Sequence, residues 1–231
     1  MSPLSPQELQ IIGLSLKVAL TATAFSLPPG IALAYLLSRY SFPGKALLSG
    51  LTHLPLILPP VVTGYALLLL FGRNGPLGSW LEPMGIVFAF DWTGAALAAA
   101  VMGFPLLVRA VSLSFDMIDP RIERAAETLG ATPLIRFVTI TLPLALPGIA
   151  AGAVLAFAKA LGEFGATITF VSSIPGETRT LPLAIYSLTQ VPGGEAAALR
   201  LVLISVAVSI GALLVSEWVA RTAARRIGRA A

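Results

Sequence analysis

The chain has 231 residues, 56% of them apolar and only 11% charged, with a mean hydropathy of +0.89, too little polar surface to clothe a water-soluble globule. Cysteine is absent, which excludes disulfides, thiolate metal sites and a cysteine nucleophile. The pI of 9.9 comes with a net charge of only +4, spread between apolar runs, so no nucleic-acid partner is expected.

Unpaired backbone groups are costly in hydrocarbon, so apolar runs must form helices or closed barrels. The runs here fit helices of about 20 residues; the roughly ten-residue alternating segments of a barrel are not found. The first run, about 9–37, is long enough to cross with tilt, and Pro28-Pro29-Gly30 is expected to kink or break it. No basic residue precedes it and it exceeds a secretory h-region, so it is expected to be a span and not a cleaved signal. Lys17 is expected to snorkel near its outer end. The second run, 46–71, carries Pro55 and Pro59-Pro60, a bend at membrane depth, with the sole histidine, His53, expected to be a packing residue. A Gly/Pro-containing loop with Trp80 follows, of the kind that sits at headgroup level.

The third span, 92–115, is expected to be capped near Asp91, with Arg109 snorkelling at its far end. Positions 116–142 concentrate charge and read as a polar loop or short surface helices. Pro143 suits the first turn of a fourth span, 143–171. The apolar piece 181–190 is too short to cross and reads as a re-entrant or interfacial half-helix. The last span, 199–220, precedes Arg221, Arg225, Arg226 and Arg229.

Five spans put the termini on opposite sides. One set of polar segments holds Arg39, Lys45, Arg109, Arg121, Arg124, Arg136 and the four tail arginines; the other holds Arg73, Arg179 and Arg200. The positive-inside rule therefore predicts an N-terminus outside and a C-terminus in the cytoplasm. The expected fold class is an all-α membrane protein of about five transmembrane helices in one domain, 1–231.

From Arg124 the chain reads R-A-A-x3-G-x9-I-x-L-P, through Ala125, Ala126, Gly130, Ile140, Leu142 and Pro143. This resembles the EAA loop of permease subunits in binding-protein-dependent ABC importers, except that Arg124 stands in the glutamate's slot and Glu123 lies one residue earlier. On a helix that shift swings the carboxylate by about 100°. The likeness extends through L-A-F-A-K-A-L-G-E-F-G-A-T-I-T-F-V, I-P-G-E-T-R-T, S-F-P-G-K and L-P-L-I-L-P-P, where the chain is similar to the permeases of molybdate importers. That resemblance implies the MetI-like ABC importer permease fold in a bacterial or archaeal plasma membrane. It also implies a homodimer, two cytoplasmic ABC ATPase subunits, an extracytoplasmic molybdate-binding protein, and alternating access. Tungstate and sulfate are the other oxyanions considered. By the same carry-over, Glu123, Ala125, Ala126 and Gly130 form the surface that couples to the ATPase, completed by Thr132, Pro133, Leu134 and Phe137.

In the fourth span, Lys159 lies near the middle with Glu163 one turn later. Ionisable groups at that depth cost roughly 2.5 to 3.5 kcal/mol each on insertion scales and should face protein or water. Two roles fit: Lys159 lines the translocation path with Glu163 holding it, or the pair is a bridge that fixes packing. Thr167 and Thr169 offer hydroxyls to an oxyanion or bond their own backbone. Gly162, Gly165 and neighbouring alanines make a slim surface, either a dimer seam or a tight crossing within the chain. One histidine and a single close charge pair give neither a metal constellation nor a catalytic dyad, so no cofactor and no catalysis are expected. No G-x4-G-K-[ST] loop occurs, so ATP would be hydrolysed by another chain. The contrasting class is a passive anion channel, which would not need the polar coupling loop.

Overall fold

The computed structural model describes residues 5–227, with side chains as far as residue 215. Four of its helices are long and apolar enough to cross a membrane: α1 (Pro6–Arg39), α5 (Trp92–Asp116), the run Pro133–Leu161, and α11 (Glu195–Ile227), described as a span over Glu195–Val215. Between α1 and α5 lie α2 (Lys45–Ile57) and α3 (Pro60–Phe71), bent by 113° at Leu58-Pro59, and the short α4 (Gly78–Leu81). The second run is thus no single rod. Pro59 and Pro60 supply no N–H to carry an α-ladder through the junction.

Three contacts decide what the bent pair does. Lys17 Nζ sits 3.4 Å over the Trp92 ring, Gly30 meets Leu107, and Ser38 Oγ donates to Asp116. α1 and α5 therefore run parallel, and the chain between them must return across their full length. The far end of α3 lies beside the start of α5, where Leu67 is buried in one cluster with Ala95 and Ala96. So α2 and α3 together make one broken crossing, the fifth. Lys17 is also held more tightly than a free snorkelling residue, by its cation–π contact.

α1 passes through Pro28 and Pro29 unbroken. Both prolines and Phe25 lie on the exposed face, so the freed carbonyls point away from the core. The opposite face, with Ala22, Ser26 and Gly30, is buried, and a Cβ on Gly30 would come within 2.7 Å of Leu107 Cδ2. Packing along α5 accompanies a helix that stays continuous through residues that would otherwise break it.

α5 begins where expected, with Asp91 accepting from the Thr93 N–H at 2.8 Å. The crossing Pro133–Leu161 comprises α7 (Pro133–Arg136), a π-helical stretch Phe137–Thr141 and α8 (Leu142–Leu161). It runs antiparallel to α5 on small residues: Gly148 against Ser114, Gly152 against Leu107, Gly103 against Ala156. The fourth span does not continue to Val171. It ends at Gly162, and α9 (Gly165–Val171) is a separate helix after a break at 162–164. Lys159 accordingly sits in the last turn of α8 and not in mid-span. α10 (Leu181–Thr189) is the expected half-helix, tied to α1 by the Leu181 N–H donating to Ser15 Oγ at 2.7 Å. Of the tail arginines, Arg229 lies outside the described residues, as do the side chains of Arg221, Arg225 and Arg226.

Candidate functional site

On the face where α1 and α5 end, α6 (Pro120–Thr128) and α7 form a knob. Asp119 caps α6 by accepting from the Arg121 N–H at 2.8 Å, with Pro120 at the first helical position. The helix stops at Gly130, whose φ of 86° is left-handed, and the Ala131 N–H closes back on Ala126 O. Thr132 caps α7 through the Ile135 N–H, again followed by proline. Every turn of the knob thus follows from local residue chemistry.

Its outer surface is unusually apolar for a polar segment. Leu129 is 89% exposed and Leu134 72%, with Ile135 beside them, around the small exposed residues Ala125 and Gly130. Thr132 and Pro133 are exposed as well.

Three members of the expected coupling surface turn inward instead. Ala126 is buried, and Phe137 stacks edge-on to Tyr35 with centroids 4.8 Å apart, next to Phe115. Glu123, 13% exposed, accepts from Arg39 Nη2 at 3.0 Å and from Thr141 Oγ1 at 2.9 Å through the same Oε1. The one-residue offset from the consensus glutamate explains this: the rotation of about 100° points Glu123 at α1 and leaves Arg124 on the exposed side. Arg39 and Thr141, which complete this brace, were not among the expected site residues; the displaced glutamate was the signal that could have found them. Thr141 is the last residue of the π-helical stretch Phe137–Thr141. A second pair, Arg136 to Glu127 at 3.0 Å, ties α7 to α6.

Across the membrane region the two helix breaks meet. A Cβ on Gly165 would lie 2.7 Å from Pro60 Cβ, and one on Gly64 would lie 2.4 Å from Ala166 O, so α3 and α9 cross in direct backbone contact. The slim surface around Gly165 is therefore a crossing within the chain. At the same place Glu163, with 2% of its side chain exposed, accepts from Lys159 Nζ at 2.8 Å with one oxygen and from the Ala166 N–H at 3.0 Å with the other. It bonds the end of α8 to the start of α9. Thr167 is buried in that packing, Thr169 bonds its own backbone at Gly165 O, and Lys159 alone of the pair keeps partial access, at 30%. His53 is satisfied by Ser49 O at 2.8 Å, as a packing residue would be.

Residues 26–228 match the family model described as the binding-protein-dependent transport system inner membrane component. The chain is 59% identical over 227 residues to the molybdenum transport system permease protein ModB of Escherichia coli (strain K12), covering 98% of this chain and 99% of that protein. It is 52% identical over 223 residues to the ModB protein of Haemophilus influenzae, covering 96% and 97%. Among solved structures, a bacterial ABC transporter involved in import of the acidic polysaccharide alginate superposes with a TM-score of 0.76 at 18% identity, covering 95% of this chain and 80% of that one. That last likeness is one of fold.

Proposed function

The chain belongs to the inner membrane components of binding-protein-dependent transport systems, and from that premise we propose that it is the permease of an ATP-driven molybdate importer. It works as a homodimer with two cytoplasmic ATPase subunits and an extracytoplasmic molybdate-binding protein. The ATPase subunits, and not this chain, hydrolyse ATP. The observation that carries the coupling half of this reading is the knob, whose apolar tip at Leu129, Leu134 and Ile135 is left uncovered among the described residues. The cargo follows from the names of the near-full-length relatives.

The knob face bears Arg39, Lys45, Arg121, Arg124 and Arg136 and the opposite face Arg73, Arg179 and Arg200, so the positive-inside rule supports a cytoplasmic knob. Ala125, Gly130, Thr132, Pro133 and Leu134 form the contact surface, while Glu123, Ala126 and Phe137 brace it from within. When ATP closes the ATPase dimer, the knob moves with it. Because Glu123 binds both the end of α1 and the start of α8, the displacement reaches both helices together. The apposed breaks at Leu58-Pro59 and 162–164 are where the crossings bend as access alternates. In this arrangement the Lys159–Glu163 pair fixes a hinge, which suits the engagement of both carboxylate oxygens better than a path-lining role.

The test is uptake of labelled molybdate into proteoliposomes holding this permease with its ATPase and binding protein. ATP-dependent molybdate accumulation that excess sulfate does not compete supports the reading. Competition by sulfate reassigns the cargo, and downhill flux without ATP would mean a channel.

A further inference from the structure

Two turns inside the knob face, between α2 and α5, a groove of about 330 Å³ is lined by Lys45, Ser49, His53, Arg109, Ser112 and Asp116. We propose that it binds the phosphodiester of an anionic phospholipid drawn from the leaflet on the knob side.

Arg109 lies seven residues before the end of α5, about 10 Å below Asp116 at the helical rise. Arg109 is exposed, and at that depth its guanidinium must reach along the groove to a polar partner or to the interface. Yet among the described residues neither the Arg109 nor the Lys45 side chain has a hydrogen-bond or ion-pair partner, in contrast to Arg39 and Arg136 nearby. The charges in the groove are two cations and one carboxylate. That carboxylate already accepts from Ser38 Oγ, and the histidine's Nδ1 is committed to Ser49 O. The surplus of one positive charge suits a singly charged phosphodiester, and a guanidinium beside an ammonium offers it forked and single donors.

The rim separates a lipid from a free inorganic oxyanion. Leu37 and Leu113 line the groove beside the charged groups, and Leu113 is exposed. A charged slot flanked by exposed leucine fits a head group continued by acyl chains, and basic pockets between transmembrane helices are known to hold anionic head groups. The transport reading enters only in naming which leaflet supplies the lipid, so this inference can fail while that reading stands.

The experiment is native mass spectrometry of the full-length protein released from detergent, titrated with phosphatidylglycerol or with phosphatidylcholine of the same acyl chains. Retention of phosphatidylglycerol should exceed that of phosphatidylcholine by about tenfold, one charge-assisted bond's worth. Arg109→Gln and Lys45→Gln should each bring it down toward the phosphatidylcholine level, and Arg109→Lys should keep part of it. Should Arg109→Gln fail to fold, Lys45→Gln at the start of α2 reads the same site. Equal retention of the two lipids, or unchanged retention in the charge-removing variants, overturns the proposal. Displacement of bound lipid by sodium molybdate or phosphate also overturns it, in favour of a free-oxyanion site.

Discussion

Glu123→Gln tests whether the conspicuous acid of the knob meets the ATPase or holds the knob together. Its carboxylate and the Arg39 guanidinium are 13% and 14% exposed and lie 3.0 Å apart, with Thr141 donating to the same oxygen. Removing one partner of a fully buried pair costs roughly 3–5 kcal/mol. Glutamine still offers an acceptor to the Arg39 cation and to Thr141, so part of the interaction is kept and the expected loss is about 2 kcal/mol. For a chain of 150–250 residues that lowers the melting temperature by roughly 4–8 °C. The readout is thermal unfolding of the permease alone in detergent, with no ATPase present. Arg39→Met should lower stability too, and adding Glu123→Gln to it should cost little more, since the pair is already broken. A Glu123→Gln permease that melts like the wild type but no longer copurifies with the ATPase would refute the brace and make Glu123 a contact residue.

The converse holds at the tip. Leu129→Asp and Leu134→Asp touch side chains that are 89% and 72% exposed, so permease stability should change by less than about 0.5 kcal/mol while ATPase copurification and uptake are lost; retained copurification would remove the tip from the interface. Lys159→Met strands the 2% exposed Glu163 and should abolish uptake, whereas Lys159→Met with Glu163→Gln should restore much of it if the pair only fixes the hinge; a double variant that stays inactive though well expressed would favour a lysine in the path. Gly64→Ala places a Cβ 2.4 Å from Ala166 O, a backbone atom that cannot rotate away, and should cost about 1–3 kcal/mol or more, with loss of uptake; wild-type melting and transport in that variant would show that α3 and α9 do not cross so closely.

Much of the fold was legible because the bilayer makes few demands and makes them strongly. Apolar runs of sufficient length must be helices, Asp91 before Trp92 marks a start, and proline, glycine and threonine punctuate the knob at Pro120, Gly130, Thr132 and Pro133. These are properties of a residue and its near neighbours, which is why they can be read in one dimension. The same holds for the all-α class, the polar segment between spans, and the basic residues gathered on one face.

What required the tertiary structure is everything set by a distant neighbour. Pro28-Pro29 reads as a break, yet α1 runs through it with Gly30 packed on Leu107; the run through Gly162 reads as continuous, yet it divides into two helices where Gly165 approaches Pro60 and Glu163 accepts from the Ala166 N–H. Glu123 shows the limit most plainly. Its position in the motif is visible in the chain, and so is the rotation that an offset of one residue entails, but that the rotated side chain meets Arg39, 84 residues away, depends on where α1 ends in space. Local chemistry determined which helices form and where they start and stop, because hydrogen bonding and desolvation act residue by residue. Which side chains face one another was decided by the assembled bundle, because close packing and ion pairing join groups that sequence holds far apart.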